Sequence, residues 1–309
     1  MLSRITGDVR FNEPLSIHTS LRIGGPAEFF VAPQSLDDVR YALAFAEQED
    51  LPVIVIGSGN NTLVSDRGVQ AVVLKLQGMF GRFDFDGDEV VAGAGVSLWE
   101  LIRDAAARDL GGFESLAGIP ASIGGALVAS AGAREGSIAD FCSAVYFLHA
   151  DGTMGEFRAL GHAAPWQRFE LPPGAILMGC RLRFVRRPAA RVQRDIRERL
   201  KERKSSQPSG LASAGYVWKD PPANRAEHLI AAVGLRGKRL NGAEISSKGG
   251  NFIVNRGGAR HTDVLALMEM TRERVARQFG ITLSTEIQML GFPVSRAFEP
   301  ERRELVAAG

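Results

Sequence analysis

Glycine is concentrated in a few loops, and this clustering limits what the chain can fold into more than any other feature of its sequence. The 309 residues include 35 glycines, well above the typical share of about 7%. The clusters lie at residues 24–25, 57–68, 93–95, 111–125, 132–136 and 249–258. Glycine is needed where the backbone takes a positive φ or closely approaches another group. We therefore expect several of these loops to hold a large ligand with their main chain.

Apolar patterns typical of helices and strands alternate between the glycine loops, which predicts an α+β fold. Residues 35–49 have helical periodicity with Ser35 as the N-cap, and residues 52–57 form a short apolar run typical of a buried strand. The strongly basic stretch 186–208 changes the pattern, so we place a domain boundary around 187–215. The predicted divisions are residues 1–190, with subdomains of about 1–75 and 76–190, then a smaller α/β domain at 200–295 and a charged tail at 296–309.

The charge balance gives no support to nucleic acid or a membrane as a partner. The chain has 37 Lys and Arg against 35 Asp and Glu, a formal net charge of +2, so no global field attracts a polyanion. The first residues lack the apolar core of a signal peptide, and no apolar stretch reaches the roughly 18 residues of a membrane span. We expect a cytoplasmic monomer that acts on a small molecule. The histidines and the two cysteines lack ligand spacing, so we expect no metal site.

The first motif with chemical meaning is IGSGNNTLVSD at residues 56–66, directly after an apolar strand. Small residues let successive backbone N–H groups converge on an anion such as a phosphate, and the Ser and Asn side chains add neutral donors. The motif lacks the lysine of a P-loop and the GxGxxG pattern of a Rossmann dinucleotide fold. A plain glycine turn after a strand is the alternative interpretation.

The second motif is AGIPASIGGALVASAGA at residues 117–133, which is apolar, small and uncharged throughout. A series of small residues allows the backbone to approach a large planar ligand closely. A tightly packed start of a buried helix is the alternative interpretation of this stretch.

These motifs, in this order and preceded by TSLRIGGPA at residues 19–27, resemble the UDP-N-acetylenolpyruvoylglucosamine reductase family. Other matching stretches are AGAGVSLWELI (92–102), HLIAAVGLRGKRLNGAEISSKGGNFIVN (228–255) and STEIQMLG (284–291), so the resemblance runs from about residue 15 to 292. It implies an FAD-binding fold of the vanillyl-alcohol oxidase (PCMH) type with a smaller C-terminal substrate domain. It also implies that NADPH reduces the flavin and that a UDP-sugar enolpyruvate then accepts a hydride, in peptidoglycan precursor synthesis.

The resemblance implies a set of FAD-binding residues in the two glycine motifs. These are Gly57, Ser58, Gly59, Asn60, Asn61, Gly118, Ile119, Pro120, Ser122, Gly124, Gly125, Ser130 and Gly132. Oxidases of the wider fold often attach their flavin through a histidine in the pyrophosphate-loop region. Residues 57–68 contain no histidine, so we expect FAD to be bound non-covalently.

The resemblance also assigns catalytic and substrate-binding residues. Glu286 matches the family's glutamate beside the enol, and Tyr216 stands in a SAGY stretch where the family has a serine or cysteine acid. Arg203, Lys204 and Lys219 remain as cations for a diphosphate. An exposed strand carboxylate and solvated lysines are the alternative interpretations.

The sequence departs from the family at other positions with chemical roles. His162 and Ala163 stand where the family has a Tyr-Arg pair, and alanine cannot clamp developing negative charge as a guanidinium does. Asp220 replaces an asparagine, and its carboxylate would repel a nucleotide phosphate. Ser130 replaces an asparagine of the flavin loop. These changes keep a second hypothesis open, namely an FAD-binding paralogue without this reductase activity that acts on another substrate or has a binding or regulatory role.

Overall fold

The computed structural model describes residues 1–133, 136–158 and 171–293. Two positions singled out in the sequence, His162 and Ala163, lie outside the described residues, as does the predicted tail at 296–309. No helix within the described ranges is long and apolar enough to span a membrane.

Helices and strands are interspersed along the chain, with runs of successive strands such as those at residues 53–93, between the first two α-helices. The helices are α1 (Leu36–Gln48), α2 (Leu98–Ala106), α3 (Ile123–Val128), α4 (Ala189–Ser206), α5 (Ala226–Ala232) and α6 (His261–Phe279). The strands are β1 (Asp8–Pro14), β2 (Pro26–Ala32), β3 (Val53–Val55), β4 (Thr62–Val64), β5 (Val69–Leu74), β6 (Phe83–Asp86), β7 (Glu89–Gly93), β8 (Leu110–Gly111), β9 (Gly132–Ala133), β10 (Gly136–Ser137), β11 (Cys142–Leu148), β12 (Met154–Arg158), β13 (Ile176–Arg183), β14 (Val185–Arg186), β15 (Ala212–Tyr216), β16 (Arg239–Leu240), β17 (Ala243–Ile245), β18 (Phe252–Asn255) and β19 (Gln288–Leu290).

The chain forms two compact units, each assembled from separated segments. Unit 1 consists of Met1–Glu13, Ala27–Ser58 and Gln70–Ser205, and unit 2 of Pro14–Pro26, Gly59–Val69 and Ser206–Gly309. Residues 19–26 of the TSLRIGGPA stretch and most of the first glycine motif therefore belong to the same unit as the C-terminal part of the chain. The sequence-based domain boundaries remain predictions.

Unit 1 contains two main sheets around one apolar core. The first has the strand order β1-β2-β5-β3, and the second is a five-stranded sheet with the order β12-β11-β13-β7-β6. Val72 of β5, Leu101 of α2 and Cys180 of β13 are fully buried in this core. Helix α1 begins after Ser35, whose side chain accepts a hydrogen bond from the Asp38 N–H, so the predicted N-cap is confirmed.

Unit 2 is a small α/β unit with its own core. Its sheet has the order β15-β18-β17-β16, and β4 pairs in parallel with β19. Trp218, Leu63 and Met268 are buried together in its core. Helix α6 ends at Gly280, whose φ of 67° is the left-handed conformation typical of a helix C-terminus.

The sequence predicts a continuous final strand over residues 283–290, and the structure differs. Only Gln288–Leu290 forms a strand. The preceding residues make a single antiparallel bridge, Trp218 with Thr285. The segment thus changes partner within a few residues, from the chain around Trp218 to strand β4, and it cannot form one regular ladder.

Candidate active site

The two glycine motifs meet in unit 1 through main-chain approach. A Cβ added at Gly57 would lie 2.6 Å from Ser122 Oγ and 3.8 Å from Gly125 Cα. Ser122 is the N-cap of α3, and its hydroxyl accepts a hydrogen bond of 3.2 Å from the Gly125 N–H. A larger residue at position 57 would therefore push the Ser122 hydroxyl away from its hydrogen bond with the Gly125 N–H.

The stretch at residues 92–102 joins the same cluster in unit 1. The Leu98 N–H donates to the Ala121 carbonyl at 2.9 Å, the Ile123 N–H to Val96 at 2.8 Å and the Gly124 N–H to Ala94 at 2.8 Å. A Cβ at Gly124 would lie only 2.9 Å from Ala94 Cβ and 3.0 Å from its carbonyl oxygen. Three stretches that resemble the family are thus held together by backbone hydrogen bonds and close glycine contacts.

Helix α4 packs against Gly118, the first predicted flavin residue of the second motif. Gly118 has a φ of +81°, and a Cβ there would lie 2.9 Å from Leu200 Cδ2 and 3.0 Å from Arg203 Cδ. The structure therefore brings together a predicted cofactor residue and a predicted substrate cation, Arg203, whereas Lys204 is exposed on the same helix.

Two further predicted flavin residues lie at the end of the second motif. Ser130 follows α3 with a φ of 47°, a region in which asparagine is enriched and serine is not. This conformation gives a physical reason for an asparagine at the corresponding family position. Gly132 begins β9 and pairs with Ser137 of β10.

The unit 1 residues of this set have the chemistry that FAD requires. None of the predicted FAD-binding residues carries a charge. Ser58, Gly118, Pro120 and Gly125 are at least partly exposed, so hydroxyl, amide and flat main-chain surface are available to a large anionic ligand. A carboxylate there would oppose the pyrophosphate, and the set contains none. These residues therefore fit the cofactor.

Ser20 joins two motifs within unit 2. Its N–H donates to the Gly59 carbonyl at 3.0 Å, and its hydroxyl donates to the Ser213 carbonyl at 2.6 Å. Gly59 itself has a φ of +65°, and a Cβ there would overlap the His18 carbonyl oxygen. The TSLRIGGPA stretch therefore fixes the first glycine motif against the SAGY stretch.

Tyr216, the residue at the family's acid position, ends strand β15. The register is irregular between Ser213 and Tyr216, and Gly215 has a φ of +76°. Tyr216 is 41% exposed. The centroids of the Tyr216 and Phe252 rings lie 4.8 Å apart. The Tyr216 hydroxyl lies 3.5 Å from Gln207 Nε2. The phenol of Tyr216 thus lies at the surface of unit 2 and packs against the ring of Phe252.

Tyr216 and Lys219 lie on a segment that pairs with the Glu286 segment. The Glu286 N–H donates to the Val217 carbonyl at 2.8 Å, and the Lys219 N–H donates to the Ser284 carbonyl at 2.9 Å. Lys219 is exposed and Glu286 is half-buried. The structure therefore brings Tyr216, Lys219 and Glu286 onto two adjacent segments of unit 2.

Asn61, predicted to bind the cofactor, contacts the Glu286 segment directly. Its Nδ2 donates to the Glu286 carbonyl at 3.1 Å. Its own carbonyl accepts from the Gln288 N–H at 2.9 Å. The last residue of the predicted pyrophosphate loop is thus bonded to residues on both sides of Ile287.

Asp220 has a structural partner in the same unit. Its Oδ1 accepts a hydrogen bond of 2.8 Å from the N–H of Ala226, which is the first residue of α5. Carboxylate and amide oxygens are both good acceptors at the start of a helix. The negative charge of Asp220 lies next to Lys219 in the sequence, where the family resemblance places a contact with the substrate.

Two residues that organise this site were not among the predicted site residues. Ser20 bridges Gly59 and Ser213, and Asn251 holds Trp218 by accepting from its N–H at 2.9 Å and donating to its carbonyl at 2.7 Å. Asn251 is 4% exposed. Both residues lie in stretches that resemble the family, but their bonding partners lie too far along the chain for sequence spacing to indicate them.

Comparison with known proteins identifies both parts of the chain. Residues 27–158 match the family of FAD binding domains, and residues 207–290 match the C-terminal domain of UDP-N-acetylenolpyruvoylglucosamine reductase. The chain therefore carries an FAD-binding domain, as predicted.

Similar proteins cover almost the whole chain. UDP-N-acetylenolpyruvoylglucosamine reductase 2 of Symbiobacterium thermophilum is 39% identical over 93% of this chain and 94% of its own length. The reductase of Moorella thermoacetica is 38% identical over 91% of this chain and 92% of its own. The crystal structure of the Thermus caldophilus enzyme has a TM-score of 0.79 and 35% identity, and the match covers 93% of this chain and 99% of that one. The predicted α+β fold class is confirmed.

Proposed function

This chain belongs to the UDP-N-acetylenolpyruvoylglucosamine reductase family, and on that premise we propose that it reduces UDP-N-acetylglucosamine enolpyruvate to UDP-N-acetylmuramate with NADPH. The reaction would supply a precursor of peptidoglycan. The observation that carries this proposal is the arrangement in unit 2, where Tyr216, Lys219 and Glu286 lie on two hydrogen-bonded segments.

The glycine motifs are proposed to hold FAD without a covalent bond. Ser58, Gly118 and Gly125 offer accessible, uncharged surface, and the Ser and Asn side chains of residues 58–61 offer neutral donors to the pyrophosphate. When bound, the flavin supplies the hydride that adds to the enolpyruvyl double bond.

Tyr216 is proposed to donate the proton that completes the reduction. Addition of a hydride to one carbon of the double bond leaves negative charge on the other, and a protein acid must protonate that carbon. The Tyr216 phenol is held by Phe252 and is partly exposed, so solvent can return the proton after each turnover. The ring reaches farther from its Cα than the serine or cysteine of other family members.

Glu286 and the cations are proposed to hold the substrate. A carboxyl group of Glu286 in its protonated form would donate a hydrogen bond to the enolate oxygen and reduce its charge in the transition state. Lys219, Arg203 and Lys204 would attract the diphosphate. Asp220 opposes that attraction, although its carboxylate oxygen is also needed at the start of α5.

A flavoprotein without this activity is the second candidate function. It is favoured by Ala163, which stands at the family's arginine position and cannot stabilise an enolate. It is also favoured by Tyr216, whose bulk exceeds that of serine or cysteine. Such a paralogue would bind FAD and act on another substrate, or have a binding or regulatory role.

The test is a visible spectrum of the purified protein followed by NADPH oxidation with and without the enolpyruvyl substrate. A yellow protein whose turnover requires the substrate would support the reductase. A yellow protein that ignores the substrate would favour the second candidate, and a colourless protein that cannot be loaded with FAD would contradict both. Repeating the assay with NADH tests the choice of reductant.

A further inference from the structure

Asn61 is a residue of the first glycine motif whose described contacts lead to the proposed catalytic glutamate. Its side-chain Nδ2 donates to the Glu286 carbonyl at 3.1 Å, and its main-chain carbonyl accepts from the Gln288 N–H at 2.9 Å. The following residues continue the contact, because Thr62–Val64 pairs in parallel with Gln288–Leu290. Asn61 therefore begins a contact surface that includes Glu286.

Glu286 is consequently held at both of its backbone polar groups. Its N–H donates to the Val217 carbonyl at 2.8 Å, and its carbonyl accepts from Asn61. The N–H and the carbonyl of a residue belong to the two peptide planes that flank its Cα, so fixing both restricts φ and ψ together. This restriction fixes the direction of the Cα–Cβ bond and thus the region that the carboxyl group can reach.

We propose that Asn61 is a positioning residue for Glu286, in addition to any contact with the cofactor. The inference rests on the proposed function, since it concerns the glutamate assigned to the enolate. A misplacement of about 1 Å in a reacting group can reduce the rate by roughly 100-fold. Val217 holds the N–H of Glu286, and the side-chain amide of Asn61 holds its carbonyl. The Asn61 amide therefore prevents such a displacement.

Asn61→Asp is the informative substitution, because it keeps the size of the side chain and removes the donor. A carboxylate at this position would face the Glu286 carbonyl and repel it. The main-chain bond to Gln288 does not depend on the side chain and remains. The variant therefore releases one anchor of Glu286 and leaves the pairing of β4 with β19 in place.

Asn255→Asp is the matched control within unit 2. Asn255 Nδ2 also donates to a distant main-chain carbonyl, that of Leu21, at 3.0 Å. Its Oδ1 accepts from the Gly257 N–H at 2.8 Å, and an aspartate would retain that bond. The control loses the same kind of hydrogen bond without affecting Glu286.

The experiment separates the two halves of the reaction and adds a readout that does not depend on activity. FAD content and flavin reduction by NADPH are measured first, and reoxidation of the reduced flavin by UDP-N-acetylglucosamine enolpyruvate second. Hydrogen–deuterium exchange is then followed in the peptide that contains residues 284–290. We expect N61D to bind FAD more weakly, because its carboxylate opposes the pyrophosphate. Once saturated with FAD, it should still be reduced by NADPH, be reoxidised about 10- to 100-fold more slowly, and exchange faster at 284–290. N255D should match the wild type in all of these measurements. Only its melting temperature should fall, because it loses the hydrogen bond to the Leu21 carbonyl.

Each outcome decides between defined alternatives. Faster exchange with unchanged reoxidation would overturn the positioning role, and unchanged exchange would overturn the anchoring itself. Loss of FAD from N61D with normal exchange would assign Asn61 to the cofactor instead. If the wild type does not reoxidise with the substrate, the proposed function fails, and the exchange data alone decide whether Asn61 fixes Glu286. If N61D does not fold, Asn61→Ala takes its place, because it removes the donor without adding a charge.

Discussion

The two units build their parts of the candidate site in different ways. In unit 1, residues 94–98 and 121–124 are joined by main-chain hydrogen bonds, and glycines allow the close approach. In unit 2, side-chain bonds are added to the main-chain pairing: Ser20 joins Gly59 to Ser213, and Asn61 reaches Glu286. The described cluster in unit 1 thus relies mainly on main-chain contacts, whereas unit 2 combines main-chain contacts with side-chain anchors.

This difference fits two of the departures from the family, Tyr216 and Asp220, but not Ser130, which belongs to unit 1. A Cβ at Gly57 or Gly124 would meet atoms at less than 3 Å, so a larger residue at either position must displace a neighbour. In unit 2, the hydrogen bonds of Ser20 and Asn61 do not depend on the exposed residues of the site. An exposed residue can therefore be substituted while these bonds remain. Tyr216 and Asp220 are such exchanges in unit 2, and both have partners there in Phe252 and Ala226.

The largest expected effect tests the chemistry of unit 2. Tyr216→Phe keeps the ring against Phe252 and removes only the O–H. If Tyr216 donates the proton, substrate-dependent NADPH oxidation should fall by roughly 100-fold, with the FAD content unchanged. Tyr41→Phe in unit 1 serves as the control. Full activity of Tyr216→Phe would show that another group is the acid.

A related substitution tests the missing arginine. Tyr216→Ser restores the family's acid but leaves Ala163 in place, so it should not rescue an inactive protein. Steady-state turnover with the enolpyruvyl substrate measures the effect. Strong recovery would contradict the view that the arginine matters.

The next effect concerns the backbone cluster of unit 1. Gly124→Ala places a methyl group 2.9 Å from Ala94 Cβ, and such overpacking typically costs about 1–3 kcal/mol of stability. We expect a lower melting temperature and a lower ratio of flavin to protein absorbance. Gly81→Ala is the control, because a Cβ at Gly81 meets nothing within 4 Å. If the two variants have the same melting temperature and flavin content, the close contact at Gly124 does not stabilise the cluster in unit 1.

A smaller effect is expected for the side-chain anchor of unit 2. Ser20→Ala removes the hydroxyl that donates to the Ser213 carbonyl at 2.6 Å, which should cost about 1 kcal/mol of unfolding free energy. Urea denaturation measures this loss, and Ser16→Ala in the same segment is the reference. A Ser20→Ala variant as stable as the reference would place the anchoring of the SAGY stretch elsewhere.

The smallest effect on stability is expected at Asp220. Asp220→Asn keeps an oxygen for the Ala226 N–H, and the two residues are about equal as helix caps, so stability should change by less than about 0.5 kcal/mol. Removal of the charge should lower the KM for the UDP-sugar, as kinetics at low salt would show. An unchanged KM would mean that Asp220 does not face the diphosphate.

Local sequence signals predicted much of the fold, because their causes are local. The Ser35 cap and the strand before Gly57 depend on neighbouring residues, and the structure contains both. The prediction that this strand is buried is wrong, because Val53 and Ile54 are half-buried and Val55 is exposed. The bonds of Ser20 could not be predicted, since its partners lie 39 and 193 positions away. The same limit applies to Asn61, whose partner Glu286 is 225 positions away. The family resemblance indicated a role for Asn61 but not for Ser20, and spacing along the chain indicated the partner of neither residue.

The discontinuity of unit 2 has a consequence for the order of synthesis. Domains generally fold from the N-terminus as the chain emerges from the ribosome, but β4 can pair with β19 only after residue 290 has been made. Residues 14–26 and 59–69 therefore lack their native partners in unit 2 while residues 70–205 are being synthesised. During that time they are solvated or bound transiently elsewhere. Closing contacts over such separations is slow. Premature termination within the last strand would thus leave the first glycine motif without its partner, even though every residue of that motif had long been made.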